Sequence, residues 1–151
     1  MNYQDYDVIH TVFEAIEKEN MDEACECLCG NFKSVVLKEP VSREEYIEAY
    51  RRIKEGIPDA KFRIVGLTSD GDAFKAKIRV MGTHSCTIPP LKRGWKSMKP
   101  TNRKINKVVG AVEIVLKADR IIEIRNTDDE KGVIAGLLDE LHLLPKNYTR
   151  D

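Results

Sequence analysis

Two periods of apolar positions organise this chain. Residues 5 to 18 follow helical spacing, with Val8, Ile9, Val12, Phe13 and Ile16 on one face and Glu14, Glu17 and Lys18 facing away. A second, shorter helix is predicted from Asn20, with Glu23 three residues on, to Gly30, a residue suited to a helix end. Phe32 to Leu37 reads as a first strand, ending at Glu39-Pro40. Ser42-Arg43-Glu44-Glu45 has capping-box spacing, and Tyr46, Ile47, Tyr50 and Ile53 make the inner face of a third helix. Gly56-Ile57-Pro58-Asp59 breaks that helix. From Lys61 the period becomes two. Phe74, Ala76, Ile78, Val80, Gly82 and His84 share one face of a strand, and Lys75, Lys77, Arg79, Met81 and Thr83 share the other. His84 therefore points to the apolar, inward side. Val108 to Leu116 and Ile121 to Asn126 are predicted strands joined by the short turn Lys117-Ala118-Asp119-Arg120. Thr127 and Glu130 again have capping-box spacing, and Val133, Ile134, Leu137, Leu138 and Leu141 form the stripe of a last helix.

Helices first, then antiparallel strands in succession, then a closing helix predict an α+β fold with a curved antiparallel sheet wrapped around the N-terminal helices. The 151 residues suit one domain over 1–151. Lys plus Arg equals Asp plus Glu at 25 each, so overall charge argues for neither a nucleic acid nor a membrane partner. No apolar run approaches the roughly 18 to 20 residues of a membrane span. The first residues lack a basic region followed by an apolar one, so no signal peptide is expected and a cytoplasmic location is. Cys25, Cys27, Cys29 and Cys86 are then expected as reduced thiols.

Candidate chemistry falls in three places. Cys25-Glu26-Cys27-Leu28-Cys29 suggests metal at first sight. On a helix, however, Cys27 points away from the other two, so core packing is the expected role and no metal is. Residues 87 to 107 carry Lys92, Arg93, Lys96, Lys99, Arg103, Lys104 and Lys107 around Trp95, with no Asp or Glu. Such a stretch could meet a phosphate or single-stranded nucleic acid. It could also balance the acidic first thirty residues, which is the favoured reading, or place Trp95 as a pocket lid. The third place is Asp128 and Asp129, where a strand hands over to a helix. They either cap that helix or supply a pocket acid or base. Tyr46 and Tyr50 read as core residues first and ligand contacts second.

Several motifs, in order, carry a family resemblance: Ile57-Pro58-Asp59-Ala60, Asp70-Gly71-Asp72, Gly82-Thr83-His84-Ser85-Cys86, Pro100-Thr101-Asn102-Arg103, Arg120-Ile121-Ile122-Glu123, and Asp129 followed by Gly132 and Leu137-Leu138. From about Ile9 to Leu141 the chain resembles the SnoaL-like polyketide cyclases, within the superfamily of nuclear transport factor 2 and ketosteroid isomerase. The resemblance implies a cone-shaped α+β barrel with a deep pocket for a small molecule, often as a homodimer. It implies cofactor-free aldol chemistry with Asp129 as the pocket acid/base and His84 in the same pocket. A carboxyl in a dry pocket has its charged form disfavoured, which moves its pKa toward a useful range. Ketosteroid isomerase uses an aspartate base in this way.

Two positions depart from the family pattern: Arg125 where a Trp is common, and Cys86 where a Gly is common. An inward Arg125 could pair with Asp129 and weaken it as a base, or bind a carboxylate on a ligand. The expected function is an acid/base enzyme acting on a small apolar carbonyl compound, with catalytic Asp129 and His84 and substrate contacts from Arg125, Trp95, Tyr46 and Tyr50. No cofactor is expected. The alternatives are a non-catalytic small-molecule-binding domain or a dimeric interaction module on the same fold.

Overall fold

The structure, a computed structural model, describes residues 3–127 and 132–145, with backbone alone at 3–5 and 70. The elements are α1 (Tyr3–Glu17), α2 (Met21–Glu26), β1 (Leu28–Val36), β2 (Glu39–Val41), α3 (Arg43–Gly56), β3 (Lys61–Asp70), β4 (Ala73–Thr83), β5 (Lys104–Lys117), β6 (Arg120–Asn126) and α4 (Val133–Glu140). The six strands form one sheet in the order β2-β1-β6-β5-β4-β3. The expected α+β architecture is present, and the helices cover one face of the sheet. Among the described residues no helix is long and apolar enough to cross a membrane.

The local signals that worked are those with a hydrogen-bond or packing cause. Asn20 caps α2 by accepting from the Glu23 N–H at 3.3 Å. The Ser42 and Glu45 box closes both ways, at 3.2 Å from Glu45 N to Ser42 Oγ and 2.8 Å from Ser42 N to Glu45 Oε1. The stripe of α3 lies in the core, with Tyr46, Ile47, Tyr50 and Ile53 buried, Tyr50 edge-on to Phe13 of α1 and Phe62 of β3, and Tyr46 edge-on to Phe32 of β1.

Four expectations need correction. First, α2 ends at Glu26, and Leu28 already pairs with Ile121, so Cys29 lies on a strand. Burial holds the Cys25 and Cys27 thiols above their usual range, so neither is a ready thiolate. Second, the β1–β6 ladder is parallel, while the other ladders are antiparallel. The helices and hairpins between β1 and β6 supply the long connection a parallel pair requires. Third, Glu39–Val41 forms a hairpin strand with β1 through the two-residue turn Leu37-Lys38, whose φ angles are 51° and 70°. That is the twist-matched hairpin turn, made here without the glycine or asparagine that normally signals it. Fourth, α4 starts at Val133 with Gly132 at its cap. Thr127 bonds the Ala111 carbonyl of β5, and the rest of its capping box lies outside the described residues.

The connection from β4 to β5 is folded rather than free. Ile88 and Met98 bridge at 2.9 and 2.8 Å, Ile88 and Leu91 are buried, and the Cys86 N–H bonds the Gly56 carbonyl at 3.1 Å. Arg52 of α3 donates to the Pro90 carbonyl.

Candidate functional site

A small crevice lies between the end of β1, α3, β6 and the start of α4. Ser34, Leu37, Tyr46, Tyr50, Val112, Ile124, Asn126 and Val133 are among the residues that line it. Its free volume is about 20 Å³, room for one water. Ligand pockets are usually about 300 to 1,000 Å³, so side chains nearly fill this crevice.

Tyr46 and Tyr50 come together at this crevice. They are one helical turn apart on α3, which stacks them on the same face. Their rings lie 5.2 Å apart and their hydroxyls 3.5 Å apart. That is long for an O–H···O bond, and it uses one of the two protons. Among the described residues the other proton has no acceptor. Burial pushes the Tyr46 phenol up to about 12, offset in part by the Tyr50 hydrogen bond. Burial, and next the charge Tyr46 would carry, put Tyr50 well above the usual phenol range. Both are neutral at physiological pH, hence hydrogen-bond donors and weak acids, not bases. Ser34 is committed elsewhere, donating to the Ile124 carbonyl at 2.6 Å.

Asn126 and Gly132 form the rim. A Cβ on Gly132 would stand 2.6 Å from Asn126 Oδ1, so the amide packs directly on that glycine. Asp129 lies outside the described residues; in sequence it stands midway between these two rim residues.

His84 is placed differently from the expectation. It is inward and fully buried, as its strand parity predicts, but the crevice at Tyr46 and Tyr50 is not lined by it. Its Nδ1 accepts from the Thr101 N–H at 3.2 Å and stands 3.0 Å from the Thr101 hydroxyl. Its own N–H bonds the Arg103 carbonyl at 3.0 Å, and its carbonyl accepts from Asn102 at 2.8 Å. An accepting Nδ1 puts the proton of the neutral ring on Nε2, which has no hydrogen-bond partner among the described residues. Burial lowers the pKa of the ring, and the backbone of Met98 and Cys86 offsets part of that. His84 is a neutral clasp between β4 and the long loop.

Arg125 and Trp95 do not join the tyrosines either. Arg125 pairs in register with Glu113 of β5, on the sheet face opposite Ile124, and its Nε lies 3.8 Å from Glu113 Oε1. One residue of strand alternation carries it to the outer face. Trp95 lies under Lys92, whose Nζ is 5.6 Å from the ring centre, and lines a shallow surface cleft with Met98, Leu143 and Pro145. Ser34, Leu37 and Asn126 were the crevice residues not anticipated. Asn126 shares the parity of inward Ile124 and could have been found; a buried leucine in a turn has no such signal. Among the described residues no group of three or more His, Cys, Asp or Glu side chains could hold a metal ion.

The architecture has many counterparts among solved structures. A provisionally assigned SnoaL-like polyketide cyclase from Jannaschia sp. CCS1 aligns with a TM-score of 0.68 at 18% identity, over 93% of this chain and 91% of that one. The chain shares the SnoaL-like, nuclear transport factor 2-like fold of these structures. A provisionally assigned polyketide cyclase from Acidithiobacillus ferrooxidans aligns at 0.63 and 20% identity, over 96% of this chain and 100% of that one. An uncharacterised cystatin-fold protein from Novosphingobium aromaticivorans aligns at 0.55 and 10%, over 80% and 95%. No family model and no curated protein matches the sequence. At such identities the SnoaL-like fold is what is shared, and the chemistry has to be argued from the residues.

Proposed function

We propose that this protein is a cofactor-independent acid/base enzyme acting on a small apolar carbonyl compound held at the mouth of the cone. The observation that carries the reading is the buried Tyr46–Tyr50 pair, two neutral donors sharing one long bond on the crevice wall. A carbonyl oxygen accepting from both would be a better partner than either phenol is to the other. As charge grows on that oxygen in the transition state, donors held in a water-poor site stabilise it strongly. Asp129, between rim residues Asn126 and Gly132 in sequence, is the proposed base. It would take a proton from the carbon beside the carbonyl. The resulting enolate would attack a second carbonyl of the same molecule, and the proton would return to the new alkoxide. General acid–base help of this kind is typically worth about 10²- to 10⁴-fold.

The test is proton exchange at the α-carbon of 2-tetralone, followed by NMR in deuterated buffer. The protein is expected to accelerate exchange about 100-fold over buffer, and Tyr50→Phe is expected to lose most of that. Exchange at the buffer rate with intact protein would remove the enzyme reading.

The outer sheet face supports a homodimer as part of the same proposal. Val65 and Val108 are exposed there, at 37% and 40%. The outward positions of β3 and β4 carry Lys61, Arg63, Lys75, Lys77 and Arg79, and those of β5 and β6 carry Glu113 and Glu123 together with Arg125, which pairs with Glu113. A two-fold axis normal to the sheet would pair these faces and bury the two valines. Sedimentation is expected to report a dimer that Val65→Lys with Val108→Lys converts to a monomer. A wild-type monomer at every concentration would contradict it.

A further inference from the structure

A second concavity, of about 790 Å³, shares only Val36 with the tyrosine crevice. Its size is that of a ligand pocket, about 300 to 1,000 Å³. Three elements enclose it: the β1–β2 hairpin, the outward side of α3 and the Leu91–Arg93 part of the long loop. These walls are tied to one another. Lys92 Nζ donates to the Leu37 carbonyl at 3.0 Å and lies 3.5 Å from Glu39 Oε1. Arg52 of α3 donates to the Pro90 carbonyl. Val36, Val41, Ala49 and Leu91 pack on the core and give the cleft an apolar floor. The cleft is thus preformed, and filling it costs little ordering of the protein.

Most charges around the cleft already have an opposite. Glu39 has Lys92, Glu44 has Arg43, and Glu48 has both Arg51 and Arg52. Two charges do not. Glu45 accepts from the Ser42 N–H at 2.8 Å and meets no cation among the described residues. Arg93 is exposed and has no hydrogen-bond or ion-pair partner among them. One unmatched carboxylate and one unmatched guanidinium therefore border the same cleft. Their complement is a molecule with an ammonium, an apolar middle and a carboxylate.

The backbone narrows the class further. β2 is the end strand of the sheet and pairs with β1 alone. Glu39, Pro40 and Val41 border the cleft in succession, so the edge of the strand meets it, and not one of its alternating faces. Such an edge offers backbone groups to an extended peptide, with Pro40 contributing a carbonyl only. Three extended residues span about 10 Å, close to the edge of a cube of the cleft's volume.

We propose that this cleft is a second binding site, for a short peptide with apolar side chains lying along β2, its ammonium at Glu45 and its carboxylate at Arg93. The site stands whether or not the tyrosine crevice is catalytic.

The tripeptide Leu-Ala-Leu, titrated into the full chain and followed by amide NMR, tests it. Saturable shifts are expected at Val41, Glu45, Ala49 and Arg93. N-acetyl-Leu-Ala-Leu lacks the ammonium, and Leu-Ala-Leu amide lacks the carboxylate. Each is expected to bind about fivefold more weakly, the upper end for an ion pair that solvent can reach. Glu45→Gln keeps the bond to Ser42, because glutamine serves equally in a capping box. In that variant the free and acetylated peptides are expected to bind alike. In Arg93→Gln the free and amidated peptides are expected to bind alike. The site is overturned if no saturable shift appears at the cleft, or if all three peptides bind wild type equally. Penalties for the blocked ends that persist in both variants overturn the placement of the ammonium and the carboxylate.

Discussion

Gly136→Ala is expected to destabilise the fold by about 3 kcal/mol, the upper end of the usual cost of overpacking. A Cβ at that position would overlap the Val109 carbonyl oxygen of β5, so the helix would have to lift off the sheet. The neighbouring approach is also close, though less so. A Cβ on Gly110 would stand 2.9 Å from the Gly132 carbonyl carbon. Backbone meets backbone along this seam, and neither side can yield by changing a rotamer. Lifting α4 would also expose Val133, Ile134, Leu137 and Leu138, all buried now. Urea denaturation should show the loss, and the crevice should open with it, because Gly132, Val133 and Ile134 form its wall. A wild-type midpoint in Gly136→Ala would mean that α4 does not dock as described.

His84→Leu is expected to cost about 2 to 4 kcal/mol. It removes the ring acceptor of the Thr101 N–H and leaves that donor inside. It also puts a differently shaped side chain in a filled site. The same residue sets a pH dependence. Its folded pKa lies below the ordinary value of 6.5, so the folded chain resists protonation more than the unfolded chain does. Stability from this source is complete above about pH 6.5 and is lost as pH falls, at most about 1.4 kcal/mol per pH unit. Denaturation curves from pH 7.5 to 5 should show a steeper fall for wild type than for His84→Leu. Parallel curves would mean that the ring is protonated in the fold without penalty.

These two residues also show what the linear pattern can carry. His84 was placed inward by strand alternation alone, and the structure has it there. Its task was not legible, because Thr101 reaches it across the long loop, and no local period encodes that contact. The stripe of α3 placed Tyr46 and Tyr50 on one inner face, but only the tertiary fold brings Ser34, Leu37 and Asn126 against them. Arg125 was read together with Asp129 because they are near in sequence. Register with Glu113 turned it outward instead. The β1–β6 parallel ladder joins residues about 90 apart, as in the Ser34 bond to Ile124, and pairing at that distance leaves no local trace. The basic stretch reads by its charges, as a contact for a phosphate or a balance to the acidic N-terminal segment, whereas its buried apolar residues Ile88 and Leu91 decide its path.

The central claim is that the cone mouth performs acid–base chemistry rather than binding alone. The direct measurement compares Asp129→Asn with wild type for both 2-tetralone exchange and 2-tetralone affinity. In Asp129→Asn exchange is expected to fall to the buffer rate while affinity stays within about twofold, since loss of a base removes proton transfer and leaves uniform binding in place. Exchange that persists undiminished in Asp129→Asn would contradict it and take Asp129 out of the mechanism.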